Sequence, residues 1–588
     1  MRQFFKYVLA AITAYIIIFF LFILVMIGVA SSFSKDDEVT VEKNSVLKLS
    51  FNYTIDDQDV EKPFNLFGGM SPNVGKAVGL NETVASIQNA KTDPNIKGIF
   101  LDLNFIGAGF AKIEEIREAI LDFKKSGKFV YAYGDYYYEN TYYLASVADK
   151  VFLNPEGEVM FNGLSANVTF FKNALDKLGV EMQVIRHGKF KGAVEPFILD
   201  KLSPENRKQI DEYLHSIMNN LENKIAVSRN LTPTRVNEIA NKWLAKTPEE
   251  AVKFGLIDKL LYKDEVLQEI QNRLGIKNQK SKDISFITLD KYKKTLKNRK
   301  GSGKDRIAVV YADGEIVMGK GEKDQIGSEK FSEMIRKLRE DERVKAVVLR
   351  INSPGGSAQA SDVIWRELEL LKAQKPLIVS MAEVAASGGY YIAAPADTIV
   401  AHPYTLTGSI GVFGLLPNMQ KLLNDKLGIN YDYVKTGEFS DFGRIDRALT
   451  PAEYQVIQHL VENIYDKFLT RVSKGRNMPK NMVDSIGQGR VWTGEQGKEI
   501  NLVDVLGGMD KAVAIAKWKA KLKDYRIVEY PQPKSQYEEI LTMFSGDEQT
   551  KAALKAEFGE FYTLHKTLQS LSKISGIQAR VPFLIGID

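Results

Sequence analysis

The feature that most restricts the folds open to this chain is a repeat of its own sequence at a constant offset. "DPNIKGIFLDLN" (residues 93–104) aligns with "DERVKAVVLRIN" (residues 341–352) at an offset of 248 residues. The same offset pairs "YYLASVAD" (residues 142–149) with "YYIAAPAD" (residues 390–397). Because a long repeat at a fixed offset indicates a duplicated structural unit, the 588 residues should form two copies of one fold.

Within each copy, short apolar runs alternate with segments of helical periodicity. "KAVVLRI" and "PLIVSM" predict buried strands, and "SDVIWRELELLKAQ" predicts an amphipathic helix between them. This alternation is typical of βα units on a mostly parallel sheet. We therefore expect an α/β protein with tandem repeats, the first over residues 45–276 and the second over residues 305–530.

The N-terminal residues 1–38 predict a membrane anchor. From Tyr7 to Ser34 there are 28 residues without a charge, where about 20 suffice to cross a bilayer. A cleavable signal peptide is the alternative, since Gly28-Val29-Ala30 resembles a cleavage site, but its apolar core would be shorter. Arg2 and Lys6 before the span predict a cytoplasmic N-terminus, with residues 7–34 in the lipid bilayer and the body outside.

Two further segments lie outside the repeats. Residues 277–304 are basic and read as a connector, although a nucleic-acid role for their lysines is the alternative interpretation. Residues 531–588 include "KAALKAEFGEFYTLHKTLQSLSKI", which predicts a polar amphipathic helix and a C-terminal helical extension.

Composition excludes several kinds of chemistry. The chain has no cysteine, so disulfides, thiolate catalysis and cysteine metal sites are absent, and its five histidines show no metal-ligand spacing. We therefore expect neither a metal nor a cofactor. A net charge of +5 over this length is too small to indicate nucleic acid as a partner.

Ser387 in "MAEVAASGGYYIAAPAD" is a candidate nucleophile. It follows a predicted strand and begins a helix-like segment, where helix N–H groups favour developing negative charge. Serine is also a preferred helix N-cap, so a structural role is the alternative. "HPYTLTGSIGVFG" offers Thr407 and Ser409 as residues that could support the site, with a β-turn as the alternative for Thr407.

Glycines supply candidate oxyanion donors. In "LRINSPGGSAQAS", Gly355 and Gly356 end a predicted strand, where glycine lets backbone N–H groups approach a ligand closely. Gly388, directly after Ser387, is a third candidate. Such N–H groups stabilise the negative oxygen that forms when a carbonyl is attacked, although a tight turn without a ligand would have the same sequence.

No histidine lies near Ser387 in the sequence, so the candidate base is a lysine. "RHGKFKGAVEPF" contains Lys189 and Lys191, and a buried lysine with a lowered pKa can act as a general base. A lone lysine is more often a solvated surface charge, but the repeat favours a catalytic role. Ser387 corresponds to Glu139 at offset 248, and Lys191 corresponds to Ser440 at offset 249, so each copy retains one candidate.

These segments resemble the signal peptide peptidase A (protease IV) family in its long, duplicated form. The resemblance rests on "INSPGGSAQASDVI", "AASGGYYIAAPAD", "TLTGSIGVFG", "GKFKGAVEPF" and "QGRVWTGEQGKEINLVDVLGG". It implies the Clp-protease/crotonase fold and a Ser-Lys dyad of Ser387 and Lys191, whereas Lys189 does not match the dyad position. It also implies a homotetramer on the bacterial inner membrane, with a periplasmic body that degrades signal peptides and other apolar peptides.

We therefore predict a membrane-anchored serine endopeptidase that needs no cofactor. Two alternatives share the fold. One is a crotonase-type acyl-CoA enzyme, which would not require an anchor or a serine-lysine pair, and the other is a non-catalytic scaffold tethered to the membrane. The sequence leaves open whether the dyad forms within one chain or between chains.

Overall fold

The structure is a computed structural model that describes residues 2–33, 39–51, 53–58, 77–276, 283–296, 303–322, 324–532, 576–580 and 586–587. Each statement below concerns these residues, and the side chains of residues 22–33 are not described.

The first half consists of short strands and helices in alternation. In chain order its elements are α1 (Arg2–Phe33), β1 (Ser45–Leu49), β2 (Thr54–Asp56), β3 (Ala77–Gly79), α2 (Leu80–Thr92), β4 (Ile96–Asp102), α3 (Phe110–Lys124), β5 (Phe129–Tyr138), α4 (Glu139–Ala145), β6 (Lys150–Met160), β7 (Ala166–Asn167), α5 (Lys172–Leu178), β8 (Glu181–His187), α6 (Glu195–Ile198), α7 (Pro204–Arg229), α8 (Pro233–Asn241), α9 (Pro248–Lys253), β9 (Lys259–Leu260), α10 (Lys263–Leu274), β10 (Phe286–Thr288) and α11 (Leu289–Tyr292).

The second half repeats this alternation. Its elements are β11 (Arg306–Asp313), β12 (Glu315–Val317), β13 (Gln325–Gly327), α12 (Ser328–Glu340), β14 (Val344–Ser353), β15 (Gly355–Ser357), α13 (Ala358–Lys372), β16 (Leu377–Ala386), α14 (Gly388–Ala393), β17 (Thr398–Ala401), β18 (Leu406–Gly408), β19 (Val412–Asn418), α15 (Pro451–Arg476), α16 (Lys480–Ile486), β20 (Val491–Thr493), α17 (Gly494–Glu499), β21 (Val505–Leu506), α18 (Met509–Lys519), β22 (Arg526–Tyr530), β23 (Gly576–Arg580) and β24 (Gly586–Ile587).

Each half is built around its own sheet, and a third sheet joins the halves. The first sheet has the order β10-β1-β4-β5-β6-β9, and its described pairs are parallel. The second has the order β20-β18-β16-β14-β11-β22, and β20 is antiparallel to β18. Off this path, β17 pairs with β16, and β21 pairs with β17. The third has the order β13-β12-β15-β23-β19-β8, so that β8 of the first half pairs with β19 of the second. The expected α/β class is confirmed.

The element boundaries confirm the internal duplication. Helices α3 and α13 have the same length and begin 248 residues apart, as do strands β5 and β16. The offset is 247 for α7 and α15 and 246 between the first residues of α10 and α18, so small insertions have accumulated without changing the order of elements.

Helix α13 shows why this sequence pattern gives these elements. Ser357 accepts a hydrogen bond from the N–H of Ala360 and so caps the first turn. Ile364, Leu368 and Leu371 recur at helical spacing and are fully buried in the core of the second half. Strand β14 is apolar almost throughout because alternate side chains face this core and a second apolar cluster on the other face of the sheet.

The two halves are joined through a buried ionic cluster. Arg350 on β14 is 1 % exposed and lies 2.7 Å from Asp57 Oδ1 and 2.8 Å from Glu115 Oε1, both in the first half. Glu383 on β16 accepts hydrogen bonds from the N–H groups of Ala111 and Lys112 at the start of α3. Each contact spans the junction, so the ion pairs and the helix cap hold the halves in one relative position.

The predicted anchor falls in α1, a helix of 32 residues. Among the described side chains, which omit those of residues 22–34, no helix is long and apolar enough to cross a bilayer. The predicted C-terminal helix over residues 551–574 lies outside the described residues. The described parts of that extension, β23 and β24, are strands, so the extension is not helical throughout.

Replacing Arg350 with methionine is expected to destabilise the protein. The substitution removes the guanidinium that pairs with the carboxylates of Asp57 and Glu115, and breaking a buried ion pair by removing one partner typically costs about 3–5 kcal/mol. Urea unfolding of the full-length protein measures the loss. Arg343→Met is the control, because Arg343 pairs with Asp341 at the surface and should change the free energy of unfolding by about 1 kcal/mol or less.

The same cluster gives a pH dependence. Burial alone would raise the pKa of Glu115, but Arg350 and His402 outweigh burial and lower it to about 2. A lowered carboxyl pKa contributes stability that is present above the unfolded pKa and is lost as the pH falls towards about 2.

One result of the urea experiment would contradict this role of the cluster. If Arg350→Met unfolds at the same urea concentration as the wild type, the cluster does not hold the halves together.

Candidate active site

Ser387 lies between the carboxyl end of β16 and the first residue of α14. Carboxyl ends of parallel strands are where α/β proteins bind ligands. Its backbone has φ 54° and ψ −114°, a conformation rare for a residue with a side chain, and its N–H donates to the carbonyl of Gly408 at 2.8 Å. Such a conformation costs about 1–3 kcal/mol and persists only where the surroundings enforce it.

Lys191 lies in the loop after β8 of the first half. Gln209 positions this loop, because its side chain donates to the carbonyl of Phe190 at 3.0 Å and accepts from the N–H of Val491 in the second half at 3.0 Å. Gly489 packs against the lysine so closely that a Cβ there would lie 2.7 Å from Lys191 Cβ. The loop is therefore held between the two halves.

The structure brings Lys191 and Ser387 together within one chain. Lys191 Nζ lies 2.8 Å from Ser387 Oγ, 3.1 Å from Ser409 Oγ and 3.2 Å from the carbonyl oxygen of Ser409. Both Lys191 and Ser387 are fully buried. Burial removes the amine from water, and this lowers the pKa of Lys191 well below its ordinary value of 10.5.

Ser409 is the third member of this group. Like Ser387 it has a positive φ, of 48°, and its N–H donates to the carbonyl of Arg490 at 2.7 Å. Its hydroxyl donates to the carbonyl of Gly489 at 3.3 Å. The structure therefore places the predicted supporting residue next to the amine. Thr407 instead donates to the carbonyl of Ala385 at 2.8 Å and holds β18 against β16.

Two of the three predicted glycines, Gly355 and Gly388, lie against each other next to Ser387, and Gly356 follows Gly355 on β15. Gly355 has φ 98°, and a Cβ on it would collide with the carbonyl oxygen of Ala579 and lie 2.7 Å from the nitrogen of Gly388. Only glycine fits there. The N–H of Gly355 donates to Ser353 Oγ at 3.2 Å, whereas Gly388 begins α14, and the first N–H groups of a helix have no partner within it.

Strand β23 lies in the cleft beside these glycines, a feature that the sequence analysis missed. It pairs antiparallel with β15 through Gly356 and Ala579, and antiparallel with β19 through Phe413 and Gln578. The carbonyl oxygen of Ala579 is 3.1 Å from where a Cβ on Gly388 would be. The cleft therefore accepts an extended chain between two strands, with a carbonyl next to Gly388.

The counterparts of the two central residues form no second site. Glu139 stands where the first half would have the serine, and its carboxylate accepts from the N–H of Asn162 at 3.0 Å. Ser440 is exposed, and its hydroxyl donates to the carbonyl of Gly437 at 2.8 Å. Lys189 is also exposed. Across the described residues, no group of three or more acidic, histidine or cysteine side chains is arranged to hold a metal.

Comparisons with known proteins show which family the chain belongs to. The model of Peptidase family S49 matches residues 122–277 and 369–523, one match in each half, and a Clp protease model matches residues 298–404. Protease 4 of Salmonella typhi is 37% identical over 82% of this chain and 78% of that protein.

Two further relatives extend over similar lengths. The chloroplastic serine protease SPPA of Arabidopsis thaliana is 34% identical over 92% of this chain and 78% of that protein. Protease 4 of Haemophilus influenzae is 35% identical over 84% of this chain and 82% of that protein. These matches confirm the resemblance drawn from the motifs, and the chain belongs to Peptidase family S49, as a serine protease with an internal duplication.

Proposed function

We propose that the protein is a membrane-anchored endopeptidase in which Ser387 is the nucleophile and Lys191 is the general base. The observation that carries this proposal is the 2.8 Å contact between Lys191 Nζ and Ser387 Oγ in a fully buried site. A lysine whose pKa is lowered by burial can be neutral near neutral pH, and a neutral amine can accept the serine proton.

The three contacts of Lys191 Nζ fit a neutral amine. A neutral amine has one lone pair and two N–H groups. The hydroxyl of Ser387 donates to the lone pair, while the two N–H groups donate to the carbonyl and the hydroxyl of Ser409. Ser409 is thus a positioning residue, because it turns the lone pair towards the nucleophile.

The reaction follows from these positions. Lys191 takes the proton of Ser387 as Oγ attacks the peptide carbonyl, and the carbonyl oxygen becomes negative. The N–H groups of Gly388 and Gly356 stabilise that oxygen. Lys191 then gives its proton to the leaving amine, and a water molecule activated by Lys191 hydrolyses the acyl-enzyme.

The cleft supports an extended, apolar peptide as the substrate. Strand β23 shows that a chain can pair with β15 and β19 at once, which is the mode of β-strand addition. On β19, Phe413 and Leu415 pack against Val194 and Phe197, which follow Lys191 in the chain. We infer that signal peptides and other apolar peptides bind here, in place of β23.

The uncharged span from Tyr7 to Ser34 supports anchoring of this body to a membrane. Tyr7, Leu9, Tyr15 and Phe19 in α1 are each more than half exposed, so the body does not cover their apolar side chains. We infer a single-pass protein of the bacterial inner membrane, with the catalytic body on the periplasmic side.

Replacing either member of the dyad should abolish turnover. Ser387→Ala and Lys191→Ala are each expected to lower kcat by about a factor of 10⁴ or more, and the double variant should lose little further because the pair acts as one unit. Hydrolysis of a fluorogenic apolar peptide measures the loss.

Two matched controls accompany this experiment. Lys189→Ala removes an exposed lysine two residues from Lys191, and Ser440→Ala removes the exposed counterpart of Lys191. Both should retain wild-type kcat. Since the contact forms within one chain, mixing the two inactive single variants should restore no activity. Recovery in mixed oligomers would contradict the geometry.

The pH profile should report Lys191. Protonated lysine cannot take a proton, so kcat/KM is expected to rise with pH through the lowered pKa of Lys191 and then to level off. Initial rates over a broad pH range measure this limb. His187→Gln is the control, because His187 on β8 is the histidine nearest to the lysine in sequence. A limb that moves with this substitution would assign the base to histidine instead.

The repeat also suggests how copies of the chain assemble. In the first half, β8 crosses to pair with β19. The counterpart of β8 is residues 430–436, and the counterpart of β19 is residues 164–170. The segment with the β8 counterpart exposes apolar side chains, among them Leu427, Tyr431 and Val434, which are 58%, 45% and 102% exposed. We infer that it pairs with residues 164–170 of the next copy, head to tail, in a homotetramer.

A charge at Val434 should disrupt this assembly. Val434→Asp is expected to shift the mass of the full-length protein in detergent from tetramer to monomer, because burying the carboxylate in the interface is unfavourable. Light scattering after size exclusion measures the mass. Val227→Asp is the control, since Val227 on α7 is 85% exposed and lies outside the proposed interface. An unchanged mass for Val434→Asp would refute this interface.

A further inference from the structure

We propose that a basic surface around Trp518 binds an anionic lipid surface. This surface, called the Trp518 patch, consists of Lys517, Trp518, Lys521 and Lys523, at the end of α18 and in the loop before β22. The proposal rests on the anchoring proposed above. It goes further because it gives a membrane contact to the second half of the chain, in addition to the span from Tyr7 to Ser34 in the first half.

The composition of the patch matches a lipid headgroup layer. Trp518 is 75% exposed, and Lys517, Lys521 and Lys523 are exposed around it. Residues 511–526 contain five lysines and one arginine but a single acidic residue, Asp524. Tryptophan prefers the boundary between water and the apolar membrane interior, and lysines are attracted to anionic headgroups.

The duplication shows that the fold does not require this composition. Helix α10 is the counterpart of α18 at offset 246, and its buried Val266 and Ile270 correspond to the buried Ala512 and Ala516. At the position of Trp518, however, α10 has Asn272, which is exposed. The fold therefore accepts a polar residue at this position, and packing does not explain why Trp518 is an exposed tryptophan.

The patch lies at the amino ends of the strands in the second sheet. Strand β22 begins at Arg526, which pairs in parallel with Arg306, the first residue of β11. The loop with Lys521 and Lys523 leads directly into β22. In the first half, the chain arriving from α1 enters β1 at Ser45, which pairs with Ile96, the first residue of β4. Both the patch and the entry of the anchor segment are thus at amino ends of strands.

Helix α7 shows that the two sheets point the same way. In the first half its last residue, Arg229, contacts Asp258, which accepts from the N–H of Val151 at the amino end of β6. α7 therefore runs towards the amino ends of the first sheet.

On its other side, α7 runs along the second half. Glu212 contacts Arg490, Ser216 contacts Thr493 at 2.9 Å, and Asn220 contacts Glu495 at 2.5 Å. Residues later in α7 thus contact residues later in the segment 490–495, so α7 runs parallel to β20. Strand β20 is antiparallel to β18 and hence to β16, so α7 also runs towards the amino ends of the second sheet. The amino ends of both sheets lie on one side of the molecule.

The length of the connection places that side near the bilayer. Residues 34–44 separate the end of α1 from β1, and a chain of this length reaches roughly 40 Å when fully extended. A body held this closely presents to the lipid the side from which its anchor leaves. That side carries the Trp518 patch, whose positive charge is complementary to anionic headgroups.

Quenching of tryptophan fluorescence by brominated lipids tests the proposal. The full-length protein is reconstituted in phosphatidylcholine vesicles with or without phosphatidylglycerol, and the signal of Trp518 is the difference between wild type and Trp518→Phe. We expect strong quenching of Trp518 in vesicles with phosphatidylglycerol. Quenching should fall by at least about two-fold without phosphatidylglycerol or in about 1 M salt, where screening removes the attraction.

A matched pair of triple variants isolates the charge. The first variant carries three substitutions, Lys517→Gln, Lys521→Gln and Lys523→Gln. In vesicles with phosphatidylglycerol, its Trp518 should be quenched as weakly as wild-type Trp518 is in vesicles of phosphatidylcholine alone. The control changes Lys208, Lys320 and Lys330 to Gln, three exposed lysines away from the amino-end side, and should keep wild-type quenching. Peptide hydrolysis should be unchanged in all these variants, which shows that they fold.

Separate readouts distinguish the patch from the anchor. Retention of the protein in the membrane pellet after an alkaline carbonate wash reports the anchor. If the protein is retained but Trp518 is not quenched, the proposal for the Trp518 patch is contradicted and the proposal for the anchor is supported. If the protein washes off, the anchor is contradicted, and quenching in phosphatidylglycerol vesicles still decides the patch. Two further results would contradict the proposal. One is quenching of Trp518 that is equal with and without phosphatidylglycerol, and the other is Trp518 fluorescence that changes only when an oligonucleotide is added.

Discussion

The contact between the two halves at Ser387 depends on one buried amine, that of Lys191. Lys191 has no exposed surface, and the groups within hydrogen-bond distance of its Nζ belong to serines rather than carboxylates. A charged lysine would be unfavourable in such surroundings, so burial lowers its pKa and favours the neutral form. A carboxylate nearby would have the opposite effect. The chemistry proposed for Ser387 therefore requires a site that excludes water and counter-charges, and the junction between the halves supplies it.

That junction must be rigid, because the amine and the hydroxyl come from different halves of the chain. Gln209 ties the Lys191 loop to Val491, while Arg350 and Glu383 bind groups of the first half from strands of the second. The repeat makes the division between the halves visible. Lys191 belongs to the first half and Ser387 to the second, and the repeat places Ser440 and Glu139 at their counterparts. Each half therefore contributes one member of the contact.

Much of this could be predicted from the sequence. The repeat gave the tandem α/β architecture, and the motifs around Ser387, Lys191, Ser409 and the glycines identified residues that the structure brings together. The α/β class and the duplication could be predicted because they depend on local patterns and on a comparison of the two copies, and the same comparison selected Ser387 and Lys191 as candidates.

Pairings between distant segments could not be predicted. Strand β8 of the first half pairs with β19 of the second, and β23 enters the cleft beside Gly355 from the far end of the chain, although the sequence predicts a helical C-terminal extension. A short strand has little periodicity of its own, and its partner is selected by the geometry of the assembled halves. The partners of Arg350 could not be predicted from the repeat either, since its counterpart Asp102 pairs instead with Lys48 and Lys263 of its own half.

The site concentrates features that are unfavourable one by one. Ser387 and Ser409 both have positive φ angles where glycine would be relaxed, and Lys191 is buried with no charged partner among the residues that the structure describes. Glycine at 387 or 409 would relieve the backbone, but it would remove the hydroxyl that Lys191 contacts. Such costs persist only where surrounding structure outweighs them. Strands β16 and β18, with their fully buried neighbours, fix the backbone on either side of the two serines, which explains why the strained residues lie at the ends of core strands rather than in mobile loops.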